Sequence, residues 1–121
     1  MSPLDNVIEE IDKLKETTAS GGWDSYDAYP VDLGQREEAK QCVRVVGQTI
    51  GYALPQPLVS PISDPGVALI WRKKGCGEVD ALFTPGGATY LVLSHDRKFV
   101  TKGTISTYKS FAADVLARYL K

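Results

Sequence analysis

Three short runs decide the fold: Val67-Ala68-Leu69-Ile70-Trp71, Val79-Asp80-Ala81-Leu82-Phe83 and Ala88-Thr89-Tyr90-Leu91-Val92-Leu93. They are rich in β-branched, aromatic and aliphatic residues. Turn-forming residues bracket them at Asp64-Pro65-Gly66, Lys74-Gly75-Cys76-Gly77, Pro85-Gly86-Gly87 and His95-Asp96-Arg97. With a last strand beginning at Phe99 and Thr101, residues 66–103 read as an antiparallel β-meander of about four strands. Side chains alternate across a pleated strand, so Val67, Leu69 and Trp71 should share one face and Ala68 and Ile70 the other. Val79, Ala81 and Phe83 alternate in the same way with Asp80, Leu82 and Thr84. Leu91 and Leu93 are expected on the helix-facing side. Apolar residues remain on both faces, so part of the outer face should be covered, by the chain itself or by a partner.

Both flanks read as helical. Ser2-Pro3-Leu4-Asp5 has the form of a capped helix start, and Leu4, Val7, Ile8, Ile11 and Leu14 recur at helical spacing. Gly21-Gly22 suits a left-handed stop. Asp32 is placed to cap a second helix, with Gln35 at the reciprocal position. Ala39, Cys42, Val43, Val46 and Ile50 form its buried face, and the helix should finish near 51–53, before Pro55 and Pro57. The Pro-rich passage 55–61 admits an edge strand at Leu58-Val59, because proline is confined to edges and bulges. A closing helix starts at Ser106 or Thr107, with Phe111, Ala112, Val115, Leu116, Tyr119 and Leu120 as its apolar stripe. The fold class is α+β: the meander against two N-terminal helices and one C-terminal helix, residues 1–121 forming one domain.

Composition places the chain among globular proteins. Of 121 residues, 43% are hydrophobic and 24% charged, which argues against disorder and for a core that needs no metal or disulfide. Fourteen basic residues against fifteen acidic ones leave a net charge of −1, so nothing draws the whole molecule to phosphate or anionic lipid. Cys42 and Cys76 lie in unlike settings, and no CxxC pair is present. The N-terminus lacks the basic-then-apolar order of a secretory signal, and no apolar run approaches the roughly 20 residues that span a bilayer. A cytoplasmic location with no membrane partner is the expectation.

Candidate sites follow from the remaining residues. Trp23, Tyr26, Asp27 and Tyr29 sit in an aromatic, acidic loop and would make a protein-recognition surface, together with the outward Ile70 and Leu82. The plainer reading is that the loop is anchored, with Trp23 and Tyr26 packed inward. Asp24, Asp27 and Asp32 lack the spacing of a calcium loop, so no metal or other cofactor is expected. His95 beside Ser94 would supply a base. Neighbours on a strand face opposite ways, however, which disfavours a nucleophile–base pair and leaves no catalytic residue expected. Cys76 between Gly75 and Gly77 would be an exposed, reactive thiol beside Lys73 and Lys74. Arg72, Lys73, Lys74, Arg97 and Lys98, with Lys102, occupy opposite hairpin ends or edges. They would serve nucleic-acid binding if collected into a stripe, or simply discourage edge-to-edge aggregation.

Two segments together resemble a known group. Gly22-Trp23-Asp24-Ser25-Tyr26-Asp27-Ala28-Tyr29-Pro30-Val31, a helix, and then the stretch Pro57 to Trp71 are similar to small, mostly uncharacterised bacterial α+β proteins. Those proteins carry a Trp-Asp-x-Tyr-x-Ala-x-Pro opening and a Pro-x-x-x-Asp-Gly-Gly-x-x-Leu-x-Trp strand. The chain differs at Asp27, where glycine is expected, and has Asp64-Pro65-Gly66 for Asp-Gly-Gly. The resemblance implies a stand-alone bacterial or phage-associated domain and brings no activity, cofactor or catalytic residue with it. With no convergent set of acids, bases or nucleophiles and with apolar residues on both faces of the meander, function is expected to be non-enzymatic protein binding, as an antitoxin-like, immunity or inhibitor protein or a small subunit of an assembly, with another protein or a second copy as partner. The alternatives are a nucleic-acid accessory protein and, last, an enzyme using His95 or Cys76.

Overall fold

Register along the central strand shows how the sequence builds its two faces. The computed structural model describes residues 3–17, 33–50, 56–62 and 66–120. Its elements run α1 (Pro3–Thr17), α2 (Leu33–Ile50), β1 (Leu58–Ile62), β2 (Gly66–Lys73), β3 (Gly77–Thr84), β4 (Gly87–Leu93) and β5 (Phe99–Thr104). A closing helix, α3, spans residues 108–120, with α-helical turns Tyr108–Phe111 and Ala117–Leu120 on either side of a π-helical turn, Ala112–Leu116. The strands form one antiparallel sheet in the order β1-β2-β3-β4-β5. The sheet has five strands, since the Pro-bearing passage supplies β1 as an edge. The Ser2 cap, the Gly21-Gly22 stop, the loop holding Trp23, Tyr26, Asp27 and Tyr29, the Asp32 cap and the finish at 51–53 lie outside the described residues.

On β3, Val79 lies opposite Trp71 and Val92, Ala81 opposite Leu69 and Tyr90, and Phe83 opposite Val67 and Ala88. These rows face the helices. Val79, Ala81, Leu69 and Val67 are fully buried and Trp71 is 2% exposed. From the other side come Val7 and Ile11 of α1, Ala39, Cys42, Val43 and Val46 of α2, and Phe111, Leu116 and Leu120 of α3, as helical spacing required. Trp71 and Tyr90 both tilt against Phe111, with ring centroids 5.8 Å and 6.0 Å away. Thr107 starts α3 by accepting the Ser110 backbone N–H at 3.1 Å. Lys40 ties α2 to α1 through Asp12 at 2.8 Å, and also pairs with Glu37 at 2.8 Å.

One phase assignment is corrected. Tyr90 and Val92 face the core, so Leu91 and Leu93 lie on the outer face with Asp80 and Glu78 opposite them. The cause is the two-residue loop Pro85-Gly86, which sets Thr84 against Gly87 and thereby fixes every later pair. Thr84 holds that loop, its hydroxyl oxygen accepting the Gly86 N–H at 3.2 Å. A register shift between Val92 and Leu93 leaves Val100 as an extra residue on β5, and Phe99 pairs with Leu93.

Candidate functional site

The outer face of the sheet is built from the residues that alternate with the core rows. Ile70, Leu82, Leu91 and Leu93 are half-buried there, and Leu58 and Phe99 are 54% and 62% exposed. The described helices all pack on the opposite face. Leu82, Leu91, Lys102 and Thr104 line an open groove of about 520 Å³ on β3, β4 and β5. The expected residues Ile70 and Leu82 are therefore together on one face, on adjacent strands. Leu91, Phe99 and Val100 were missed, the first through the phase of β4 and the others through the β5 bulge.

A carboxylate sits in the middle of this apolar face. Asp80 lies between Ile70 and Leu91 on the neighbouring strands, and its Oδ1 is buried with no hydrogen-bond partner among the described residues. Burial, then a hydrogen bond with Glu78 and that residue's like charge, push its carboxyl up to about 7. Glu78 moves the other way. Burial raises it, but the Arg72 hydrogen bond and its other partners outweigh that and hold it low. Arg72 Nε meets Glu78 Oε1 at 2.5 Å across the strand pair.

The folded state holds the Asp80 proton more tightly than the unfolded state does. Its contribution is thus fully present below about pH 4, the ordinary aspartate value, and is lost as pH rises to about 7. Discounted for partial exposure, the loss is about 1–2 kcal/mol. Asp80→Asn is therefore expected to raise stability near pH 8 by about 1 kcal/mol and to flatten the decline between about pH 5 and pH 7, measured by urea unfolding at both ends. A variant as pH-dependent as the wild type would show that Asp80 is not the group responsible.

A second feature lies at one end of the sheet. The β2–β3 hairpin and the β4–β5 turn face each other across a cleft of about 310 Å³ lined by Arg72, Lys73, Lys74, Glu78, His95 and Arg97, among others. The expectation that these cations occupy opposite hairpin ends is corrected: in a meander the second and fourth turns fall at the same end. Lys98 is not among the cleft-lining residues and pairs with Asp96 at 3.7 Å, and Lys102 lines the outer-face groove instead. At the cleft, Gly77, with φ 135°, lets β3 approach the Leu93 carbonyl closely. Arg97 adopts φ 65°, the one non-glycine residue at positive φ among those described. Its turn is closed by Arg97 N–H to Ser94 O at 2.8 Å and Ser94 N–H to Lys98 O at 2.8 Å.

The residues considered for chemistry are placed as follows. The Ser94 hydroxyl donates to Asp96 and accepts the Lys98 N–H, and it is not paired with His95. Cys76 is half-buried and packs against the core, so it is not the exposed thiol expected from its glycines. Cys42 is buried, and burial, followed by the Glu38 charge, pushes its thiol up, away from thiolate. Tyr108 donates to Glu38 in a third groove of about 630 Å³ between α2 and the β3–β4 hairpin, which sequence reasoning missed. Among the described residues no three His, Cys, Asp or Glu side chains cluster to hold a metal ion, and no helix is long and apolar enough to cross a membrane. Searches against protein-family models, curated proteins and solved structures give no match.

Proposed function

We propose that this protein is a non-enzymatic protein-binding module whose partner lies over the outer sheet face and along β5. The observation that carries this reading is the run of Ile70, Leu82, Leu91 and Phe99 on a face that no described helix covers. Contiguous exposed apolar surface marks interaction sites in soluble proteins. That run ends at β5, an outermost strand among the described residues, whose exposed Val100 adds to it, and an unpaired strand edge is a template for backbone pairing by a second chain. The partner is another polypeptide. The module acts as an antitoxin-like, immunity or inhibitor protein, or as a small subunit of a bacterial or phage assembly, in the cytoplasm. The resemblance to small bacterial domains supports that setting.

The test compares wild type with Leu82→Lys/Leu91→Lys, two half-buried positions where a lysine stem can reach solvent. Tagged protein is used to capture partners from its host, read by quantitative mass spectrometry, and the enriched protein is purified and titrated directly. A partner held by wild type and weakened more than about tenfold by the variant is expected. A partner indifferent to the substitutions, or none beside a clean monomer in sedimentation, sinks the reading. A dimer lost in the variant would make a second copy the occupant.

Nucleic-acid binding is the second reading, favoured by the clustering of Arg72, Lys73, Lys74 and Arg97 in one cleft. It requires a salt-sensitive shift with an oligonucleotide and fails without one.

A further inference from the structure

The geometry points to the Arg72–Lys73–Lys74–Arg97 cleft as a receptor for an acidic peptide segment, the carboxylate-bearing part of the partner placed on the outer face. This rests on the protein-binding reading and names the chemistry that would give it direction. Four permanent cations line the cleft against one carboxylate, Glu78, which is already occupied by Arg72. Lys73, Lys74 and Arg97 make no ion pair within 4 Å among the described residues. The excess is local, because the chain as a whole carries −1.

Two backbone features hold the cations together. Gly77, in the lining itself, brings the β2–β3 hairpin against the Leu93 carbonyl, and no side chain fits there. Arg97 occupies a left-handed position where glycine or asparagine is the unstrained choice, and a strained residue kept at a cleft is a pointer to use. Arg97 and Glu78 line the same cleft, and the Arg97 charge favours the ionised form of both Glu78 and Asp80.

A carboxylate-rich peptide fits better than a nucleic acid for three reasons. The cations are confined to one end of the sheet, so they meet one or two anionic groups and not a run of phosphates. The lining holds no Trp, Tyr or Phe, and His95 is the one aromatic ring it offers a base. Beyond Glu78 the outer face carries Ile70, Leu82 and Leu91 around the single carboxyl of Asp80, which suits an acidic segment continuing into apolar residues.

The test uses the full chain and four probes: fluorescein-labelled hexaglutamate, hexaglutamine of equal length, a mixed-sequence single-stranded oligonucleotide and inorganic phosphate. Variants are Lys73→Glu/Lys74→Glu and Arg97→Gly, with thermal melts to confirm folding. Hexaglutamate is expected to bind and hexaglutamine not, with affinity falling as salt rises. The double reversal should weaken hexaglutamate about tenfold or more. Arg97→Gly should weaken it several-fold while melting no lower than wild type, because the substitution relieves positive φ. Leu82→Lys/Leu91→Lys should not weaken hexaglutamate binding. That outcome with no captured partner would sink the outer-face reading and keep the cleft; a captured partner indifferent to Lys73→Glu/Lys74→Glu would do the reverse. The inference is overturned by equal binding of hexaglutamate to all forms, by no binding at low salt, by an oligonucleotide that binds tighter than the peptide, or by inorganic phosphate that binds as tightly.

Discussion

Trp71→Ala is expected to destabilise the protein by about 3–5 kcal/mol, the usual range for removing a large aromatic side chain from a packed core. Among the described residues Trp71 is the largest fully buried side chain, 2% exposed, on β2 opposite Val79 and tilted against Phe111 of α3. Its loss opens a cavity between the sheet and the closing helix, and the β3 row cannot move to fill it without slipping register. Domains of this size are stable by roughly 5–15 kcal/mol, so the variant should melt about 10 °C or more below wild type. A denaturant series giving less than about 1 kcal/mol would mean that Trp71 does not bridge sheet and helix.

Gly77→Ala is the second large effect, about 2–4 kcal/mol. A methyl group there would sit 2.4 Å from the Leu93 carbonyl oxygen and 3.3 Å from the Ser94 carbonyl carbon. Both are backbone atoms, one in the paired strand β4 and one in the hydrogen-bonded turn that follows it, and neither can swing aside. The residue also has φ 135°, which side chains rarely adopt. Gly75→Ala separates the two causes. It has φ 82° with nothing within 4 Å of its added carbon, so only conformational strain remains, about 1 kcal/mol. If the two alanine variants unfold at the same urea concentration, the close approach of β3 to the β4–β5 turn is not what glycine at 77 provides.

Much of the fold was legible because alternation and helical spacing each had an unambiguous phase. Val79, Ala81 and Phe83 alternate with two polar residues and Leu82, which separates core from surface on β3, and on β2 the large residues Val67, Leu69 and Trp71 share the inward phase. β4 offers no such contrast. Tyr90, Leu91, Val92 and Leu93 are all apolar, and only the length of the Pro85-Gly86 loop, set by backbone geometry, decides which pair faces inward.

The candidate site was legible in part for related reasons. Ile70 and Leu82 follow from alternation, whereas Phe99 and Val100 owe their exposure to a bulge that no residue pattern announces. The gathering of Arg72, Lys73, Lys74 and Arg97 was within reach, since alternate hairpins of a meander share an end. The raised Asp80 carboxyl was not within reach. It depends on Ile70, Leu91 and Glu78 meeting around it from three directions.

Hydrogen–deuterium exchange of the protein alone and bound to its captured partner tests the central claim most directly. Exchange should slow at β5 amides 101–104 and across the β3–β4 outer rows around Leu82 and Leu91, with the α2 and α3 amides unchanged. Slowing confined to α2, or to the groove beside Tyr108, with β5 exchanging as in the free protein, would contradict it.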